Sequence, residues 1–139
     1  MKTVLLFAGF LLTVCANAQH REHADSSQVA AVTARVLLEQ MLTKEDLAAN
    51  LVRMETVSFP PLYASKKHSH PCPLFVFVLE GELVSEFEGI RKTYKAGECF
   101  YEKKNGIHSE TRNASSTRSA KILVIYLMKQ GQETFVPLP

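Results

Sequence analysis

The chain has 139 residues, 46% of them hydrophobic, and 16 basic against 14 acidic side chains leave a net charge of +2. That near-balance offers no electrostatic footprint for nucleic acid or an anionic membrane surface, and the length suits one compact domain rather than two. Three cysteines are too few for a disulfide scaffold.

The first residues read MKTVLLFAGFLLTVCANAQ: one lysine, an uncharged apolar run from Val4 to Val14, then small residues ending at Ala16, Asn17 and Ala18. This is the layout of a cleaved secretory signal over residues 1–18, with an apolar part too short to span a bilayer. Acylation at Cys15 is the weaker alternative, because Val14 stands before it where a small residue is expected. The expected destination is the periplasm or the medium, with no membrane association after cleavage. Residues 19–32 begin QHREHADSSQ, a polar, aperiodic and flexible lead-in whose His20 and His23 read as solvated. The domain proper is expected over 33–139.

From there the pattern is one of strands. TARVLLEQML and LVRMETVSF have the β-branched and apolar content of strands, with a helical turn expected in KEDLAANL between them. VFVLEGELVSEF breaks at Glu80-Gly81 and SEFEGIRKTY at Glu88-Gly89, each read as a hairpin turn. ECFYE and HSETRN flank KKNGI, a further hairpin in which Asn105 and Gly106 tolerate positive φ. AKILVIYLM is apolar on both faces and reads as a covered central strand. Short strands with turns every eight to twelve residues, and no stripe of helical period, predict an all-β sandwich or small barrel.

Two histidines open the apolar run: KKHSHPCPLFVFVLEGE spans Lys66 to Glu82. On a strand, residues of equal parity share a face, so His68 and His70 point the same way and form a bidentate seat for a metal. Two surface histidines beside Lys66 and Lys67 are the alternative. His108 returns after the KKNGI turn as a third imidazole. HSH at 68–70, VLEGE at 78–82, KAGE at 95–98 and His108, in this order and spacing, resemble the two motifs of the cupin superfamily. The likeness runs from about Val36 to Phe135. It implies a double-stranded β-helix, or jelly-roll barrel, holding a divalent metal ion (Fe, Mn, Zn or Ni).

The departures from the family pattern are specific. Where the first motif usually has a glutamate ligand, this chain has Leu74, and Leu62 takes the place of the motif's opening glycine. Lys103 and Asn105 replace the usual proline and glycine of the second motif, and its asparagine comes one residue late, at Asn113. Glu102 is the candidate substitute. Positions 98, 100 and 102 share a face, and if Phe100 points inward then so does Glu102, near His108. GECFYE followed by His108 also resembles small bacterial cupins that lack the first glutamate but keep one here. Glu102 is therefore read as fourth ligand or metal-adjacent catalytic base, against a solvated rim residue beside Lys103 and Lys104.

Cys72 shares the parity of the histidines and is a second candidate ligand, although Pro71 and Pro73 bracket it. Cys99 has the opposite parity to Glu102, which argues against a disulfide between Cys72 and Cys99. Tyr101 and Tyr126 either reach a pocket or fill the sheet interface, with packing the favoured reading; Asn113 reads as a turn asparagine rather than a glycosylation acceptor, and Glu80 and Glu82 as turn residues. The metal ligands are thus expected to be His68, His70, Glu102 and His108, with occupancy falling as pH drops through roughly 6 to 7, where free imidazole takes up a proton. The expected function is that of an exported metal-binding protein, dioxygenase-like or related, acting on a small organic molecule. The alternative is a non-catalytic module for a sugar or other small ligand, with structural or no metal. By resemblance, a homodimer is expected.

Overall fold

A computed structural model describes residues 34–139. The leader and lead-in expected over 1–32, with Cys15, His20 and His23, lie outside the described residues. A single 3-10 turn, Asp46–Ala48, precedes nine strands: β1 Leu51–Phe59, β2 His68–Ser69, β3 Leu74–Glu80, β4 Glu82–Phe87, β5 Ile90–Lys95, β6 Cys99–Glu102, β7 Ile107–Arg112, β8 Ala120–Met128 and β9 Val136–Pro137. The turn is held by Asp46, whose Oδ2 accepts from the Thr43 N–H and hydroxyl, both at 2.8 Å. No helix among the described residues is long and apolar enough to cross a membrane.

The strands form two antiparallel sheets, one ordered β1-β8-β3-β6 and the other β5-β4-β7-β2-β9. Their inner faces close on a single core that includes Phe59, Leu74, Val76, Val78, Leu83, Phe100, Ile122 and Val124. This is the all-β, jelly-roll architecture that the sequence predicts. β8 is central, as expected, and its alternate residues from Ala120 to Met128 are buried. Val78 and Leu83 are fully buried on opposite sheets. Truncating Leu83 to alanine removes its transfer energy and leaves a cavity, a loss of about 2–5 kcal/mol.

Three expectations need correction. Residues 34–42 of TARVLLEQML form no strand: Val36, Leu37 and Leu38 lie instead in a recess with Phe75, Phe77 and Ile125 on the outer face of the first sheet. Strand content in a sequence does not make a strand without an edge to pair with. The break at Glu80-Gly81 is also no hairpin, because β3 belongs to the first sheet and β4 to the second. Gly81 turns the chain between layers at φ +75°, and a Cβ there would stand 3.0 Å from Ala120. The KKNGI turn likewise carries the chain from β6 to β7 across sheets, with Asn105 at φ +59°. Only Glu88-Gly89 closes a paired hairpin of those expected, β4 against β5. Glycine and asparagine mark positive φ in a corner as readily as in a hairpin, so the sequence signal is the same.

Candidate metal centre

Both sheets contribute to one end of the barrel. β2 is only two residues long, but it pairs with β7 so that His68 stands directly opposite His108, with Ser69 opposite Ile107. The two rings stack at 5.0 Å, nearly parallel. His70 follows β2, its ring 5.0 Å from that of His68 and 5.9 Å from that of His108. In the facing sheet, Leu74 on β3 pairs with Tyr126 on β8 at one side and with Glu102 on β6 at the other. The inner row therefore reads Tyr126, Leu74, Glu102. Leu74, where the sequence pattern leads one to expect a carboxylate, thus stands directly beside the carboxylate of Glu102.

A break in alternation sets up the return strand. Across β4 and β7, Glu86 pairs with Glu110 but Phe87 pairs with His108, leaving Ser109 as the extra residue of a β-bulge. His108 and Thr111, three residues apart, are consequently both buried on the inner face. The Thr111 hydroxyl lies 3.1 Å from His108 Nδ1.

The hydrogen bonds determine which nitrogens face the cavity. His68 Nδ1 donates to the Lys66 carbonyl at 2.7 Å, and His70 Nδ1 donates to the Thr134 carbonyl. A carbonyl can only accept, so in each neutral ring Nδ1 carries the proton and Nε2 keeps its lone pair. Outer-shell acceptors of this kind orient metal-binding imidazoles. Burial is the main cause of a His68 pKa below the ordinary 6.5, opposed by the Lys66 hydrogen bond; His108 and His70 lower it further.

His70, Glu102 and His108 bring one ligand atom each to within 4.8 Å of one another. Glu102 is 4% exposed, and so is not a solvated rim residue. His108 Nε2 and Glu102 Oε1 are 2.7 Å apart without the alignment of a hydrogen bond, and His70 Nε2 is 3.7 Å from Glu102 Oε2. Both His108 Nε2 and Glu102 Oε2 are buried with no hydrogen-bond partner. Buried polar atoms are normally paired, and leaving a carboxylate oxygen orphaned costs about 1–3 kcal/mol or more. Nε2 atoms of two imidazoles and one carboxylate converging without mutual hydrogen bonds fit a divalent cation. His68 lines the same cavity but lies outside the three-residue cluster.

The cavity has a volume of about 230 Å³. Tyr126 lines it, beyond the packing role expected of it, and burial, with Glu55 and Glu102 adding, raises its phenol pKa to about 12. Phe135, from the segment after β8, stacks on His68 at 4.7 Å and also lines the cavity. Sequence reasoning missed Thr111, Thr134 and Phe135. A bulge, a backbone carbonyl and a stacking contact leave no motif to read. Cys72 lies in the hydrophobic core, its thiol pKa raised by burial, and is not part of the cluster. Cys72 and Cys99 are both free thiols. Tyr101 points away from the cavity toward Asp46. Asn113 is a buried turn residue: its Nδ2 donates to the Phe59, Pro60 and Arg118 carbonyls, which leaves no room for a glycan.

The sequence profile of the cupin domain matches residues 55–126. No curated protein sequence matches the chain. Among solved structures, similarity extends to the DMSP lyase DddQ from Ruegeria pomeroyi DSS-3, with 22% identity and a TM-score of 0.54 over 62% of this chain and 42% of that one. An oxalate oxidase in complex with the substrate analogue glycolate is 26% identical, with a TM-score of 0.56 over 63% of this chain and 46% of that one. An RmlC-like cupin from Shewanella frigidimarina NCIMB 400 is 16% identical, with a TM-score of 0.51 over 58% of this chain and 68% of that one. The match spans less than half the length of the lyase and of the oxidase. The lyase and the Shewanella protein speak for the fold alone.

Proposed function

The chain belongs to the cupin domain family, and from that premise we propose that it is an exported metal-binding protein acting on a small organic molecule at the His70, Glu102 and His108 centre. The observation that carries this reading is the pair of orphaned, buried ligand atoms on Glu102 and His108, which a cation would satisfy. His68, its ring 5.0 Å from those of both other histidines, is the fourth candidate ligand. A divalent cation bound there supplies Lewis-acid chemistry and, with iron or manganese, redox chemistry.

The residues around it have separable tasks. The Lys66 and Thr134 carbonyls hold two imidazoles with their lone pairs inward. Phe135 covers His68 and limits water. Tyr126 keeps its proton at neutral pH and can donate it in a hydrogen bond to an oxygen of the molecule bound beside it. Glu102 is the one carboxylate lining the cavity among the described residues, and is both ligand and candidate base. That the oxalate oxidase and a salicylate 1,2-dioxygenase share the fold supports small-molecule chemistry as a class. Export rests on residues 1–18. A homodimer is supported by the exposed Val52 and Met54 on the outer side of β1.

Elemental analysis of protein purified without a histidine tag tests the centre: near-stoichiometric Fe, Mn, Zn or Ni in the wild type, and little in Glu102→Gln or His70→Ala. Wild-type occupancy in both variants removes these residues as ligands. Oxygen uptake by the iron-loaded protein over a panel of phenols and thiols then separates an enzyme from the binding-module alternative, for which tight ligand binding with no turnover is the expected result.

A further inference from the structure

The cavity has a polar end and an apolar remainder. At the polar end stand His68, His70, Glu102 and His108; elsewhere the wall is largely aliphatic and aromatic, with Phe59, Val76, Phe100, Ile122 and Val124 among its residues. Among the described residues, no lysine or arginine lines it. Arg53, whose charge reaches Tyr126, is paired with Glu55 and does not line the cavity. With a divalent cation at the centre, neutral imidazoles and one carboxylate leave a single net positive charge. A monoanion cancels it. A dianion leaves an uncompensated negative charge against an apolar wall with no cation to meet it, and burying an unpaired charge is strongly unfavourable.

Volume sets the scale. A cavity of about 150 Å³ accommodates benzene, so about 230 Å³ holds one six-membered ring with its head group, about nine non-hydrogen atoms. We propose that the site selects neutral or monoanionic molecules of single-ring size, bound by one polar head at the His70, Glu102 and His108 end and by an apolar body against β3, β6 and β8, and that it discriminates against dianions such as dicarboxylates. The inference rests on the metal-centre reading above and adds to it the class of molecule accepted.

Cobalt(II)-loaded protein provides two independent readouts. Its visible spectrum reports whether the centre binds metal; calorimetric titration with benzoate, phthalate and oxalate reports selection. Benzoate and phthalate share one ring and differ by one carboxylate, and oxalate, smaller than benzoate, is a dianion that the volume does not exclude. The expected result is a cobalt spectrum that benzoate perturbs, with benzoate binding at least tenfold more tightly than either dianion. A half-buried position facing the cavity, Val57 on the edge strand β1, allows a cation to be added: Val57→Lys is expected to narrow the gap between phthalate and benzoate. Should that variant fail to fold, the wild-type comparison decides alone. A cobalt spectrum with phthalate or oxalate binding as tightly as benzoate, or with benzoate binding no better than either, overturns the selectivity and leaves the metal centre standing. No cobalt spectrum overturns the centre, and the selectivity with it.

Discussion

The two strand pairs that build the centre solve the same problem differently. β2 and the start of β3 bring His68 and His70 but, at Leu74, no carboxylate; β6 and β7 bring one imidazole, His108, and the carboxylate of Glu102. Leu74 and Glu102 face each other across the same inner row, about 5 Å apart, so on the proposed reading the carboxylate absent at Leu74 is supplied from the neighbouring strand. On that reading the cavity needs a carboxylate at one point in space, and two backbone positions can deliver it. The histidines have less freedom, since each is oriented by a particular partner: the Lys66 carbonyl, the Thr134 carbonyl and the Thr111 hydroxyl.

Removing ligands should break the asymmetry most severely. His108→Ala takes away the ligand atom that stands 2.7 Å from Glu102, so a fall in metal affinity of at least about a hundredfold is expected in competition titration with a chelator; a change below threefold contradicts the assignment. His68→Ala sharpens the count of ligands. A loss as large as that of His108→Ala makes His68 a full ligand, whereas about tenfold fits an imidazole that packs against the cluster.

Orientation effects come next in size. Thr111→Val keeps the shape of the side chain but removes the hydroxyl beside His108 Nδ1, and about a tenfold loss of metal affinity with an unchanged melting profile is the expected signature. A loss of stability with no loss of affinity would make Thr111 a packing residue.

Stability predictions are smaller. Leu62 sits at φ +60° in the third place of a turn closed by the Tyr63 N–H onto the Pro60 carbonyl at 3.2 Å, and its side chain is 67% exposed. That place favours glycine. Leu62→Gly relieves left-handed strain with little packing to lose, and a gain of about 1 kcal/mol, or roughly 5 °C in Tm, is expected by calorimetry. The smallest effect concerns His68. Its folded pKa lies below the ordinary 6.5, so at mildly acid pH the unfolded chain binds more protons, and stability present above about pH 6.5 is lost as pH falls toward the folded value. Denaturation of the metal-free protein between pH 7.5 and 5 should show this decline, and His68→Gln should flatten it.

Much of this was readable from residue types and parity alone. Alternation on β6 carried Glu102 inward with Phe100, and the apolar AKILVIYLM run became the central strand β8. The extended TARVLLEQML segment misled because its apolar residues cover an outer face without joining the ladder. Parity failed at Ser109, where the bulge turns Thr111 to the same side as His108, because a bulge is a property of two strands in register and not of one. Thr134 contributes only a backbone carbonyl, which every residue possesses.

The most direct measurement of the central claim is the metal content of Glu102→Leu beside the double variant Leu74→Glu, Glu102→Leu, with folding of both verified by circular dichroism. If the carboxylate is needed at one point reachable from either strand, Glu102→Leu is purified nearly empty and the double variant regains at least half of the wild-type metal. Wild-type metal content in Glu102→Leu, or a folded double variant as empty as the single one, contradicts it.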